Sequence, residues 1–260
     1  MTACGASWIF VFVIGAIVGS FLNVCIHRMP ISKSIVLPAS HCPKCGTKLR
    51  WYDNIPVVSY ALLLGRCRSC RERISIRYAV VEILTASLFV ALFYKFGISA
   101  KFFIYSAFTA ALIVAAFIDI DINEIPDSIS LGGLAAGLVL SIAFPALFDT
   151  TSRIEGFLSS LSGALIGGIA IYAMGVFGKI LFKKDAMGGG DVKLMAMIGS
   201  IVGWKLALFT FFIAPVFGAA IGILMRIRDG RETIAYGPYL SLAAVISILF
   251  ARPLLGCLFF

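Results

Sequence analysis

The sequence predicts an all-α polytopic membrane protein of about eight transmembrane helices with one small cytoplasmic loop. Three observations carry that expectation. Of the 260 residues, 60% are hydrophobic and 13% charged, against roughly 45–50% and about 25% in soluble domains. The mean hydropathy is +1.01. The apolar residues also fall into long runs, which a soluble chain would have to expose to water as large patches.

The runs are taken in order. A hydrocarbon core of about 30 Å needs roughly 20 apolar residues as helix. Segments 7–26, 78–97, 101–118, 128–147, 157–181, 204–225 and 237–258 meet that length. A shorter piece, 191–203, is marginal and reads as a half-helix or a short tilted one. Residues 7–26 lack a basic region before them and a convincing cleavage site, so they read as the first spanning helix rather than a signal peptide. Three domains follow: 1–26 as the first helix, 27–77 as a loop, and 78–260 as a membrane-embedded helical bundle.

Charge orients the bundle. Ten of the 22 Lys and Arg residues lie between Arg28 and Arg77, with only Asp53 and Glu72 against them. Lys179, Lys183 and Lys184 form a second basic turn, and Arg226, Arg228 and Arg231 a third. Eight crossings put all three on one side, the cytoplasmic one by the positive-inside rule. Seven would place the last outside. The net charge of +9 is thereby a topology signal, and nucleic-acid binding is not expected. Both termini fall on the extracytoplasmic side.

The loop is too small to build a sufficient core unaided. Its staple is legible as Cys42-Pro-Lys-Cys45 and Cys67-Arg-Ser-Cys70, separated by the 21 residues 46–66. Two such knuckles let four thiolates converge tetrahedrally on one zinc ion, in a closed and therefore structural site. Gly46 allows the tight turn a knuckle needs. A pair of disulfides is the competing reading, but a cytoplasmic loop is kept reducing. A redox CxxC would require neither the second pair nor this spacing. His41 reads as solvent-exposed, and Cys4, Cys25 and Cys257 as packing residues.

Acids are scarce, 13 in all, so those beside apolar segments are informative. Asp119 and Asp121 end the third span, Asp127 opens the fourth, and Asp191 follows Gly188-Gly-Gly at the start of the short piece. In the eight-crossing arrangement all four reach the cytoplasmic face. Two carboxylates brought together suit peptide hydrolysis: one, ionised, activates water, and the other, protonated, polarises the carbonyl. Asp119, deeper by half a turn than Asp121, pairs best with Asp191. Gly188 and Gly190, without a Cβ, let a substrate backbone lie close. Asp191 at a helix start also gains from the helix dipole. Asp127 reads as a helix N-terminal acid, and Asp121 as interfacial.

Several motifs in one order resemble the bacterial type IV prepilin peptidases, within the wider GxGD membrane aspartyl proteases. They are Gly19-Ser-Phe-Leu-Asn-Val-Cys-Ile-His-Arg-Met-Pro30, the two CxxC pairs, Trp51-Tyr-Asp-Asn-Ile-Pro56, Arg77-Tyr-Ala-Val-Val-Glu82, Ile118-Asp119, Ile125-Pro126-Asp127 and Gly188-Gly-Gly-Asp191-Val-Lys-Leu. The match covers nearly the whole chain.

The resemblance implies an inner-membrane endopeptidase with Asp119 and Asp191 as catalytic pair. Such an enzyme cuts the short basic leader of type IV prepilins or pseudopilins at the cytoplasmic face. The cysteine loop further suggests N-methylation of the new N-terminus from S-adenosylmethionine, with cleavage alone as the alternative. Glu82 is then a candidate for binding the leader or the amine to be methylated, beside a plain salt bridge to Arg77 or Arg28. No glycine-rich methyl-donor loop of the soluble kind is visible. An ion-coupled transporter would hold its acids near the bilayer midplane at repeat interfaces, and a zinc-dependent assembly factor would need no acid pair.

Overall fold

The structure, a computed structural model, describes residues 4–183, 187–229 and 235–259. Lys184 and Arg231 lie outside the described residues, as do the side chains of Cys4, Arg226, Arg228 and Cys257. Nine α-helices are present among the described residues: α1 Cys4–Arg28, α2 Val58–Leu62, α3 Arg77–Phe96, α4 Ala100–Ile122, α5 Asp127–Ala143, α6 Arg153–Phe182, α7 Gly189–Val202, α8 Trp204–Asp229 and α9 Gly237–Phe259. All except the one-turn α2 correspond to the expected apolar segments. Among the described residues, five (α1, α3, α4, α6 and α8) are long and apolar enough to cross a membrane. α5, at 17 residues, reaches only about 26 Å at 1.5 Å per residue. The run expected to continue through 147 breaks there, because Pro145 opens a separate 3-10 turn, Pro145–Phe148.

The chain divides into two compact units, Met1–Val114 and Ala115–Phe260, with the boundary inside α4. In the first unit α1 lies against α3 with almost no side chain between. A Cβ on Gly15 would stand 2.6 Å from the Ala86 Cα, and one on Gly19 would stand 2.7 Å from the Glu82 Cα. Glycines four apart share a helix face and let backbones meet, the usual device where lipid supplies no hydrophobic drive between helices. Asn23 Nδ2 donates to the Tyr78 carbonyl at 3.0 Å across the same contact. The other side of α1 exposes Phe10, Val13, Ile17 and Phe21, as a lipid-facing surface does. α3 stops at Gly97, whose φ of +59° favours glycine. α4 then returns with Phe102 edge-on to Phe93, ring centroids 5.9 Å apart.

In the second unit α7 is central, touching α5, α6, α8 and α9. Its Leu194, Met195, Met197 and Ile198 are fully buried. From Leu194 to Val202 every residue but Ala196 is buried, and a stretch enclosed on all sides belongs inside a bundle, which is why this 14-residue piece holds together at less than spanning length. Gly163 of α6 and Gly199 of α7 face each other so closely that a Cβ on either would strike the other's backbone. Ser160 Oγ donates to the Ser200 carbonyl at 2.6 Å beside them. α8 and α9 are joined by the Thr210 and Ser247 hydroxyls, 2.8 Å apart.

Candidate active site

The cysteine loop, in the first unit, folds as two copies of one turn. The Gly46 N–H reaches the Cys42 carbonyl at 2.9 Å and the Arg71 N–H the Cys67 carbonyl at 3.0 Å. The chain then returns through the Cys42 N–H to the Thr47 carbonyl, 3.0 Å, and the Cys67 N–H to the Glu72 carbonyl, 2.8 Å. Gly46 takes a φ of +69° and Arg71 one of +58°, so the second knuckle makes the same turn without glycine. Isolated bridges His41–Lys48 and Arg66–Arg73 flank them.

The four sulfurs of Cys42, Cys45, Cys67 and Cys70 all lie within 4.8 Å of one another, and all four thiols are free. A tetrahedral ion with metal–sulfur bonds of about 2.3 Å separates its sulfurs by roughly 3.8 Å; Cys42 and Cys70 are 3.9 Å apart. The cluster therefore fits one metal ion. The Thr47 hydroxyl, 3.3 Å from the Cys45 sulfur, and the Thr47 N–H hold the Cys45 thiol down at about 6. The Glu72 N–H lowers Cys70, but desolvation and the three neighbouring sulfurs outweigh it and leave Cys70 at about 11. Four thiolates this close repel one another unless a cation sits among them. His41 is exposed, its Nδ1 3.2 Å from the Ala39 carbonyl.

Two buried groups anchor this loop to the helices. The Arg28 guanidinium donates to the carbonyls of Ser34 at 2.9 Å and Pro38 at 2.7 Å. Glu82 accepts the Val57 N–H at 2.8 Å and also bonds Ser20. Val57 has a φ of +61°, a conformation a β-branched residue adopts only when its surroundings impose it. A cavity of about 420 Å³ lies alongside, lined by Ser20, Phe21, Arg28, Val36 and Asn54 among others.

The acids meet in the second unit. Asp119, in the last turn of α4, and Asp191, in the first turn of α7, are buried to 5% and 8% exposure, whereas Asp121 and Asp127 are exposed. Asp119 Oδ2 accepts the Gly237 N–H, at the start of α9, at 2.8 Å. Asp191 Oδ2 accepts the Gly188 N–H at 3.2 Å, reaching back over the helix start. α7 begins at Gly189, two residues before the expected start, so Asp191 still meets the positive end of the helix dipole. The two carboxylates interact electrostatically. Ile125 packs between their supports: Cβ atoms placed on Gly190 and Gly237 would come within 3.3 and 3.2 Å of its side chain. Asp127 opens α5 as expected, and both its oxygens bind Lys193 Nζ, at 2.7 and 2.9 Å.

Gly237 and Ile125 escaped the sequence reading as parts of this site. Gly237 lies 118 residues from Asp119, and its one local signal is the Gly237-Pro238 pair that opens α9.

Five helices long and apolar enough to cross a membrane, together with two buried, interacting carboxylates, define the class: a polytopic helical membrane protein with an aspartate-pair site. Two family models match, the bacterial peptidase A24 N-terminal domain over residues 13–96 and the type IV leader peptidase family over residues 106–223. A protein named prepilin leader peptidase/N-methyltransferase from Myxococcus xanthus is 41% identical over 223 residues, covering 86% of this chain and 64% of that protein. So-named proteins of Pseudomonas aeruginosa and Neisseria gonorrhoeae are each 33% identical, over 91% and 90% of this chain and 88% and 87% of their own lengths. The chain spans slightly less than two thirds of the Myxococcus protein and most of the other two. No solved structure matches. The chain belongs to the type IV leader peptidase family.

Proposed function

We propose that this chain is a membrane aspartyl endopeptidase that removes the leader of type IV prepilins or pseudopilins and then methylates the exposed amine. One observation carries the peptidase half: Asp119 and Asp191, far apart in sequence, are buried together, each held by a backbone N–H. Adjacent buried carboxylates resist double ionisation, so the pair retains one proton between them. The ionised member takes a proton from water as its oxygen adds to the scissile carbonyl carbon, and the protonated member hydrogen-bonds the carbonyl oxygen. Collapse breaks the C–N bond, and the leaving amine takes up a proton from the pair.

The substrate and the methylation come from the relatives' names, prepilin leader peptidase/N-methyltransferase. S-adenosylmethionine, as donor, would supply the methyl group. The cavity in the first unit has largely apolar walls, and its Arg28 already bonds two carbonyls, so no step is assigned to a donor bound there. Glu82, bonded to Val57 and Ser20, acts in this reading as an anchor of the loop. Zinc is the ion proposed for Cys42, Cys45, Cys67 and Cys70, because four thiolates in a closed tetrahedral set suit it. The proposed setting is the bacterial inner membrane, with α5, α7 and α9 completing eight crossings and with the loop and acids at the cytoplasmic side.

The test is a reaction of the purified protein in lipid with a prepilin and labelled S-adenosylmethionine, read by product mass. Loss of the leader with gain of one methyl group supports both halves. Leader loss alone leaves a peptidase, and an intact prepilin contradicts the proposal.

A further inference from the structure

The turn between α4 and α5 runs from the end of one aspartate's helix past the start of the other's. Asn123, at a φ of +53°, closes α4 by giving its N–H to the Asp119 carbonyl at 2.8 Å, and Pro126 caps α5. Between them Ile125 is buried, while Glu124 and Asp127 are exposed. Its side chain reaches across two helix starts. A Cβ on Gly190 of α7 would come 3.3 Å from the Ile125 Cβ, and a Cβ on Gly237 of α9 would come 3.2 Å from its Cδ1. Gly190 adjoins Asp191 in the chain, and Gly237 binds Asp119. The same Cβ on Gly237 would stand 2.7 Å from Asp119 Oδ2, so that oxygen and the terminal methyl of Ile125 flank one spot. The spacer is also stiff. A residue before proline is confined to extended backbone, and a β-branched side chain has few rotamers.

We propose that Ile125 is a positioning residue whose side chain fixes the spacing of the Asp119 and Asp191 carboxylates. The inference rests on those two being the catalytic pair. Two carboxylates keep one proton between them only while their repulsion is strong. That repulsion weakens as they separate and as water enters beside them. A rigid apolar side chain against both supports opposes both changes. The other titratable groups near the pair, among the described residues, are Tyr236 before Gly237, which interacts with Asp191, the exposed Asp121 and Glu124, and the Asp127–Lys193 ion pair. A change at Ile125 leaves all of these in place.

Ile125→Ala removes the side chain beyond Cβ, and Ile125→Val removes only the Cδ1 beside Gly237. The experiment is the pH dependence of prepilin cleavage by the full chain in lipid. The wild type should give a bell-shaped kcat whose two limbs are the titrations of the pair. Ile125→Ala is expected to lose roughly 10²-fold in kcat with KM little changed, and its limbs should draw together by about one pH unit. Ile125→Val should show the same changes in smaller degree, and it tests the proposal should the alanine variant not fold. Ile201→Ala makes the same deletion at a buried position ten residues from Asp191 along α7, about 15 Å away. It should lower the melting temperature and leave the limbs where they are. Wild-type limbs in a folded Ile125 variant, with a melting temperature lowered as in Ile201→Ala, would make Ile125 a packing residue and overturn the proposal while the peptidase reading stands. A wild-type chain that does not cleave would refute that reading and this role with it.

Discussion

The N–H of Gly237 donates to Oδ2 of Asp119 at 2.8 Å, and the space beside that bond holds no further carbon. A Cβ at Gly237 would lie 2.7 Å from Oδ2, 3.2 Å from the Asp119 Cγ and 3.2 Å from the Ile125 Cδ1. Gly237→Ala therefore has to push the carboxylate aside or back α9 away. Displacements of this order misalign reacting groups at a cost of about 10²-fold. Cleavage by Gly237→Ala should fall by that factor while the protein still inserts and melts as a folded chain. Normal kinetics would show that the Asp119 carboxylate has freedom the close contact denies it.

Gly199 and Gly163 bring α7 and α6 into backbone contact, and α7 carries Asp191 at its far end. Gly199→Ala has no flexible side chain to displace, only backbone. The expected cost is about 1–3 kcal/mol of stability, together with reduced cleavage as α7 shifts. Thermal unfolding in detergent and a cleavage assay on one preparation check this.

The Asp127–Lys193 pair joins the first turns of α5 and α7 beside the site, but its side chains are 57% and 41% exposed. Pairs this wet contribute within about 1 kcal/mol. Asp127→Asn and Lys193→Ala should lower the melting temperature slightly and cleave almost normally. A folded but inactive Asp127→Asn would add Asp127 to the catalytic residues.

Cys-to-Ser change at position 42, 45, 67 or 70 should release the bound metal and loosen the loop. Metal binding requires thiolates, so protons compete with the ion. The Cys45 thiol sits at about 6 and the Cys70 thiol at about 11. At neutral pH Cys45 is largely ready to bind, while Cys70 has to give up its proton to the solvent. Binding should therefore release protons, and affinity should fall as the medium is acidified, most steeply once Cys45 also protonates, below about pH 6. Metal content measured after dialysis across this range checks the sign; retention rising with acidity would contradict it.

The helices were legible because lipid imposes length and polarity on them, and Asp119 and Asp191 because acids are rare at the ends of apolar runs. The knuckles were legible because their spacing is local. The 3-10 turn after Ala143 had a plain signal in Pro145, passed over because the apolar run continues beyond it. Other features had no local signal. Val57 is bound by Glu82 from 25 residues away, and Asp119 is held by a glycine 118 residues on. Such contacts are products of packing, and no periodicity or spacing announces them.

The most direct test of the central claim is cleavage of a prepilin by wild type, Asp119→Asn and Asp191→Asn, each purified, folded and in lipid. Either asparagine keeps the shape of the side chain and removes its acid–base chemistry. The account predicts leader loss with the wild type and an intact substrate with both variants. Substantial cleavage by either variant would remove that residue from the pair and contradict a two-carboxylate mechanism.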